Sequence, residues 1–322
     1  MNRRQLISLF GVGALSPLGV LAQQGKVWRI GYLSPLSGPD GMVESFRDEL
    51  RRLGYVEPRN LVIEYRWAGG DNDRLRQYAD ELVRQKVDAI VTTTTLVAST
   101  AKQATKTIPI VMITSADPVG AGVVASLAHP GGNVTGFTTN STEVVGKKIQ
   151  LLREIVPKAR RIAVLVWKET ITKQLFIEAT REAARKMDVT LVIKEVGNPA
   201  ELDGMFAAMR REGAQALIVQ QNAFSLEHRE RIAQVAVKNR LPVMFESRGP
   251  GEGGLMAYGP NLIEMRRRAA QYVDLIFKGA KPADLPIQQP TTYQLSIDLK
   301  AAKATGVTMP QSLIGRADEV IE

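Results

Sequence analysis

The 322-residue sequence contains no cysteine and only two histidines. The absence of cysteine excludes a disulfide framework, a zinc-thiolate cluster, a thiol nucleophile and attachment through a lipidated N-terminal cysteine. Metal ligands could come only from the two histidines and from scattered carboxylates, and the sequence has no paired-histidine metal motif. We therefore expect neither a metal nor a cofactor.

The sequence also lacks the motifs of common catalytic folds. It has no G-x-S-x-G nucleophile elbow and no P-loop, since Gly146-Lys147-Lys148 has neither the upstream glycine nor a following Ser or Thr. Two glycine-rich stretches match dinucleotide spacing. Residues 120–125 precede a short predicted helix but are separated from the strand by Asp117-Pro118-Val119, and residues 249–254 lead into a strand instead of a helix. An α/β enzyme acting on a small metabolite is therefore kept only as an alternative.

The formal charge of +9 does not by itself indicate a nucleic-acid partner. Many basic residues lie on predicted helix faces among acidic ones, which is typical of solvated surface, for example Arg47, Arg51 and Arg52 beside Glu44, Asp48 and Glu49. An exported protein also meets little nucleic acid. We expect no nucleic-acid partner.

Residues 1–22 have the pattern of a secretory signal peptide. Arg3 and Arg4 precede an apolar run that contains glycines and a proline and ends in Val20-Leu21-Ala22. A membrane anchor is the alternative, but the run is shorter than the roughly 20 apolar residues of a span and is interrupted. The paired arginines also fit a twin-arginine route beside the general secretory one. We predict cleavage after Ala22 and a periplasmic protein that diffuses freely.

From Val27 onward, short β-rich segments alternate with amphipathic segments, which is the pattern of parallel βαβ units. Nearly continuous apolar runs at 162–166, 216–219 and 242–245 are typical of strands covered by helices on both faces. The sequence therefore predicts an α/β fold with two doubly wound parallel-sheet lobes and a cleft between them. We expect the first lobe at 27–137 plus 258–288, and the second at 138–257 plus 289–322, with crossovers near 137–141, 253–258 and 286–291.

Hydroxyl-bearing residues follow the predicted strands of the first half. Ligands of open α/β sheets bind beyond the carboxyl ends of the strands, so these residues are candidate ligand contacts: Ser34, Thr93, Thr94, Thr95, Thr114 and Ser115. The threonines precede a predicted helix, whose N-terminus favours a carboxylate, although one threonine could simply cap that helix. Asp117 could face a ligand ammonium, or could serve only as a turn residue before Pro118.

In the second half, the predicted strands end in Trp167-Lys168, Asn222 and Glu246-Ser247-Arg248, and Tyr258 lies shortly after. From these we take Trp167, Asn222, Ser247 and Tyr258 as candidate ligand contacts, because an aromatic ring with amides and hydroxyls suits a small molecule. Core packing for Trp167 and the start of a turn for Asn222 are the alternatives.

Four segments carry a resemblance to a known family, and they are 117–137 (DPVGAGVVASLAHPGGNVTGF), 255–261 (LMAYGPN), 279–286 (GAKPADLP) and 316–322 (RADEVIE). Through them the chain resembles the substrate-binding proteins of bacterial ABC importers, in the group that includes tryptophan and tyrosine binders. The resemblance implies a type I periplasmic-binding-protein fold with three interlobe crossovers, and delivery of a solute to an ABC permease in the inner membrane.

We therefore expect a monomer that closes on a small polar, amino-acid-like ligand and catalyses no reaction. The identity of the ligand stays open at this point, because hydroxyls, amides and one aromatic ring suit amino acids, purines, sugars and small acids alike. A ligand-sensing domain that signals to a membrane receptor is the alternative to delivery.

Overall fold

The computed structural model describes residues 26–247 and 254–322. The predicted signal peptide, residues 1–22, lies outside the described residues. The first lobe is built from strands β1 Trp28–Ser34, β2 Leu61–Trp67, β3 Ala89–Thr92, β4 Ile110–Met112 and β5 Val134–Gly136, with helices α1 Val43–Arg52, α2 Asn72–Arg84 and α3 Thr95–Ala104.

The second lobe follows with α4 Ser141–Ile155, β6 Arg161–Trp167, α5 Lys173–Lys186, β7 Thr190–Val196, α6 Leu202–Arg211, β8 Ala216–Val219, α7 Ala223–Glu227, α8 Arg229–Lys238, β9 Val243–Phe245 and β10 Met256–Gly259. Helix α9 Leu262–Phe277 then returns to the first lobe. The chain ends in the second lobe with β11 Gln294–Asp298, α10 Leu299–Thr305, α11 Gln311–Ile314 and β12 Glu319–Ile321.

Both lobes contain the same doubly wound sheet. The strand order of the first sheet is β2-β1-β3-β4-β5, and within the second sheet the run β7-β6-β8-β9-β10 repeats it. The second sheet continues through β11, which pairs antiparallel with β10, to β12. The prediction of two doubly wound sheets is confirmed, and the one antiparallel pairing is an addition to it.

The strands and helices form where the hydrophobic pattern predicts them. Strands β3 and β8 are buried along their whole length and are apolar except for Thr92 at the end of β3, because helices cover both faces of each sheet. Helix α2 buries Leu75, Ala79 and Leu82 against the first sheet. Its N-terminus is capped by Asp71, whose side chain accepts hydrogen bonds from two backbone N–H groups of the first turn.

Three crossovers join the lobes. The first runs from β5 to α4 and lies beside the third, since Phe137 bridges to Gln288 and the N–H of Thr138 donates to the Gln288 carbonyl at 3.0 Å. The second begins after Gly259, because Tyr258 and Gly259 still pair with β11 in the second sheet. This crossover therefore comes slightly later along the chain than the 253–258 that we expected.

Helix α9 packs on α1 and joins the core of the first lobe, through Met265, Ala269 and Val273 on α9 and Phe46 and Leu50 on α1. The first lobe is thus completed by chain that has already passed through the second. Within 26–247 and 254–322, no helix has the length and apolar character to cross a bilayer.

Candidate ligand-binding site

A crevice lies between the lobes, at the carboxyl ends of strands from both sheets. It holds about 490 Å³ of space, counting the part open to solvent. Its lining residues are Thr93, Thr94, Thr95, Leu96, Thr114, Ser115 and Ala116 of the first lobe, Thr139 and Ser141 of the first crossover, and Trp167, Thr170, Thr172, Gln221, Asn222, Ala223, Leu226 and Glu246 of the second lobe. The crevice lies where the topology predicts a ligand site.

The first-lobe wall is rich in hydroxyl groups. The Thr94 hydroxyl caps α3 by accepting from the N–H of Val97 at 3.4 Å. The hydroxyls of Thr95 and Ser115 lie 3.0 Å apart, and Thr95 also accepts from the N–H of Ala116. Because the first N–H groups of a helix have no acceptor within the helix, the start of α3 adds backbone donors to these hydroxyls. A carboxylate fits this end of the crevice.

Seven of the proposed contact residues line the crevice: Thr93, Thr94, Thr95, Thr114, Ser115, Trp167 and Asn222. Ser34 lies behind this wall. Its side chain is fully buried and accepts from the Thr93 hydroxyl at 3.4 Å and from the N–H of Leu36 at 3.3 Å. Ser34 therefore contacts Thr93, and Thr93 lines the crevice.

Asp117 does not line the crevice. Its carboxylate accepts a hydrogen bond from the N–H of Gly120 at 2.7 Å, which closes the turn that follows β4. The residue lies in a separate depression near Pro118 and Asn140. This geometry corresponds to the turn role that was the alternative for Asp117, because the chain presents Ser115 and Ala116 to the crevice and then turns away.

Ser247 and Tyr258 also lie outside the crevice lining. The Ser247 hydroxyl donates to the side-chain oxygen of Gln221, so it orients a residue that does line the crevice. The Tyr258 ring stacks on Tyr293 with ring centroids 5.8 Å apart, beside the crossovers.

Among the residues that the structure describes, the second-lobe wall presents one aromatic ring, that of Trp167. Trp167 is 6% exposed, belongs to the core of its lobe and stacks on Phe224 at 6.5 Å, and it lines the crevice as well. Asn222 forms a reciprocal capping box with Ser225 at the start of α7, with both hydrogen bonds at 2.9 Å. The Asn222 side-chain oxygen is thus already engaged in capping.

Glu246 is the one charged residue that the described part of the chain contributes to the crevice lining, and it was not among the proposed contacts. Its carboxylate accepts from the Ser141 hydroxyl and lies 3.0 Å from the Lys148 ammonium, with both charged side chains buried. A sequence signal for this pair existed. Lys148 falls on the apolar face of α4 with Val145 and Leu152, where an unpaired lysine is very rare.

Two hydrogen bonds between described residues also connect the lobes outside the crevice, and we call them the clasp. The N–H of Ser37 donates to the Glu227 carboxylate at 3.1 Å, and the Asn72 side-chain amide donates to the Glu169 carboxylate at 2.5 Å. In each contact, an acid of the second lobe accepts from the first lobe. The structure therefore represents the two lobes in contact across the cleft.

This architecture of two α/β lobes, three crossovers and a crevice at the strand ends is that of a type I periplasmic binding protein. The sequence profile of the family described as "ABC transporter substrate binding protein" matches residues 30–321. The chain belongs to this family.

Known relatives agree with this assignment. The chain is 26% identical over 266 residues to a tyrosine-binding protein of Clostridioides difficile (strain R20291), covering 82% of this chain and 76% of that protein. A conserved domain protein of Vibrio cholerae superposes with a TM-score of 0.84 at 25% identity, over 92% of this chain and all of that one. An ABC domain of Streptococcus pneumonia in complex with L-Trp superposes with a TM-score of 0.83 at 25% identity, over 91% and 99%. The first of these proteins is named for binding tyrosine, and the last is in complex with L-Trp.

Proposed function

We propose that the protein is the extracytoplasmic solute-binding component of an ABC importer and that it captures an amino-acid-like ligand in the interlobe crevice. The observation that carries the proposal is the crevice itself, which combines uncharged donors, one aromatic ring and one acid between two lobes of this family. A relative that is named for binding tyrosine and another that holds L-Trp support an amino acid as the ligand class.

The ligand carboxylate binds at the first-lobe wall. One hydroxyl of the hydrogen-bonded pair Thr95 and Ser115, together with the backbone N–H groups at the start of α3, supplies donors without a buried positive charge. Within 26–247 and 254–322, no lysine or arginine lines the crevice. A ligand with a second negative charge therefore meets no counter-charge from these residues, and a zwitterion is the better fit.

The apolar part of the ligand packs against Trp167 and the side chains of Leu96, Ala223 and Leu226, which also line the crevice. Such a mixture of apolar surface and few polar groups is typical of small-molecule sites. Binding between two lobes couples ligand capture to closure about the three crossovers, where short links can absorb a rotation. The closed monomer then delivers its ligand to a permease in the inner membrane, after export by residues 1–22.

The first experiment identifies the ligand. Protein purified from the periplasm of the native host is denatured, and the released small molecules are identified by mass spectrometry. Intact mass on the same sample tests cleavage after Ala22, and Met1 retained on the protein would contradict it. We expect an α-amino acid to be released, and calorimetry with that amino acid to give a single site. A released sugar or nucleobase, with no heat from any amino acid, would refute the amino-acid assignment.

A variant pair tests the placement of the carboxylate. Ser115→Ala removes one hydroxyl from the first-lobe wall, and we expect roughly 3- to 10-fold weaker binding, the scale of one hydrogen bond. Ser312→Ala is the matched control, because Ser312 is exposed on α11 and does not line the crevice. Equal affinity in the two variants would place the carboxylate elsewhere.

A further inference from the structure

The proposed function assigns no ligand contact to Glu246. It follows β9 at the carboxyl end of the second sheet, lines the crevice and is 1% exposed. A buried carboxylate is costly unless its charge is compensated and its oxygens accept hydrogen bonds. Both conditions are met by protein groups, which makes Glu246 an ionised acceptor held at a fixed place.

Lys148 compensates the charge. Its ammonium lies 3.0 Å from one carboxylate oxygen of Glu246, and the Ser141 hydroxyl donates to the other oxygen. A carboxylate offers about four lone-pair positions, so two protein donors leave further positions for a ligand. Lys148 is on α4 and does not line the crevice, and its contact with the ligand would therefore be indirect.

A continuous path of hydrogen bonds connects Glu246 to the carboxylate-binding end of the crevice. Ser141, which donates to Glu246, is 2.7 Å from the Thr139 hydroxyl, and the N–H of Thr139 donates to the Ser115 carbonyl at 2.7 Å. The Ser115 hydroxyl is in turn 3.0 Å from that of Thr95. Two residues of the first crossover, Thr139 and Ser141, thus connect the acceptor in the second lobe to the hydroxyls of the first lobe.

The backbone of Glu246 is also fixed. A Cβ atom at Gly259 would lie 1.8 Å from the Glu246 carbonyl oxygen, so the start of the second crossover packs directly on this residue. Ser141, at the end of the first crossover, holds the side chain. Two of the three interlobe connections therefore contact the same acid.

We propose that Glu246 accepts hydrogen bonds from the α-ammonium of the ligand and so makes the protein select α-amino acids over carboxylic acids that lack the amino group. Lys148 is its positioning residue. This inference rests on the proposed function, since it requires an amino acid in the crevice. It assigns to Glu246 the role that the sequence suggested for Asp117.

The test uses two probes, L-tryptophan and indole-3-propionate, which share the ring and the carboxylate and differ in the ammonium. We expect the wild-type protein to bind L-tryptophan at least 10-fold more tightly by calorimetry, as a charge-assisted hydrogen bond predicts. The double variant Glu246→Gln/Lys148→Met removes both charges and leaves neither buried alone, which avoids the cost of an unpaired ion. In this variant L-tryptophan should bind roughly 10- to 100-fold more weakly, with indole-3-propionate changed less than threefold.

The control is Glu182→Gln/Lys186→Met, which makes the same replacements in an exposed ion pair of α5. It should keep the wild-type preference. A double variant that folds and still prefers L-tryptophan overturns the role of Glu246 and leaves the proposed function intact. Equal wild-type affinity for the two probes overturns it even if the double variant fails to fold. Binding of neither probe by the wild-type protein, with no heat from any other α-amino acid, overturns the proposed function and this inference with it.

Discussion

Removing both acids of the clasp should weaken ligand binding while leaving each lobe folded. Glu227 accepts from the N–H of Ser37, and Glu169 accepts from the side chain of Asn72. Each hydrogen bond joins one lobe to the other, so it exists only when the lobes are together. The double variant Glu169→Ala/Glu227→Ala therefore raises the free energy of the closed form relative to the open form.

The size of the effect follows from the exposure of the two acids. A net hydrogen bond contributes about 0.5–1.5 kcal/mol, and solvent exposure places a contact with a carboxylate in the lower part of that range. Both glutamates are exposed, so we take about 0.5–1 kcal/mol for each contact. Their sum of about 1–2 kcal/mol corresponds to roughly 5- to 30-fold weaker apparent binding, provided that the ligand binds the closed form and the free protein is mainly open.

Calorimetry with the identified ligand measures the affinity, and small-angle scattering with and without ligand measures closure. Glu230→Ala is the matched control, because it removes an exposed glutamate three residues from Glu227 that is outside the clasp. We expect the melting temperature of the ligand-free double variant to equal that of the control. Affinity within twofold of wild type, or a ligand-free protein several degrees less stable than the control, would refute the interlobe role of the clasp.

Three further variants test individual residues. Gly136→Ala should destabilise the first lobe by more than about 3 kcal/mol in urea unfolding, because Gly136 has φ +129° and a Cβ would lie 2.2 Å from the Met112 carbonyl oxygen. Hydrogen bonds from Arg52 lower the pKa of Glu49 to about 2. Glu49→Gln should therefore lower the free energy of unfolding by about 1–2 kcal/mol, allowing for the exposure of Arg52. Unfolding at several pH values should show the full loss above about pH 4.5 and none as the pH falls towards 2. Asp117→Asn should leave ligand affinity within twofold by calorimetry and lower ligand-free stability by about 0.5–1.5 kcal/mol, because the carboxylate accepts from a backbone N–H of its own turn.

The fold was predictable because its information is local. Continuous apolar segments such as 162–166 and the amphipathic segments between them appear in the sequence at the spacing of βαβ units, and both sheets formed from them. The position of the second crossover was not predictable in the same way. Strand β10 extends to Gly259 because it pairs with β11, and that pairing involves residues more than thirty positions apart.

The candidate site also has a part that the sequence could predict and a part that it could not. Topology brings the carboxyl ends of the strands together, so Thr95, Ser115 and Trp167 reach the crevice as the sequence suggested. Which acid reaches it depends on the path of a loop. The turn after β4 directs Asp117 to a backbone N–H, and the segment after β9 leaves Glu246 at the crevice.

Lys148 and Glu246 are 98 positions apart in the sequence. Each is therefore a buried charge whose counter-charge lies outside its own segment, and the pair forms only in the folded lobe. Their charges belong to the second lobe, whereas the donors at the start of α3 belong to the first. A zwitterion can therefore satisfy both groups only when the lobes are together. Under the proposed function, ligand recognition and closure form one equilibrium, so a ligand that lacks either pole should close the protein less completely than one that carries both.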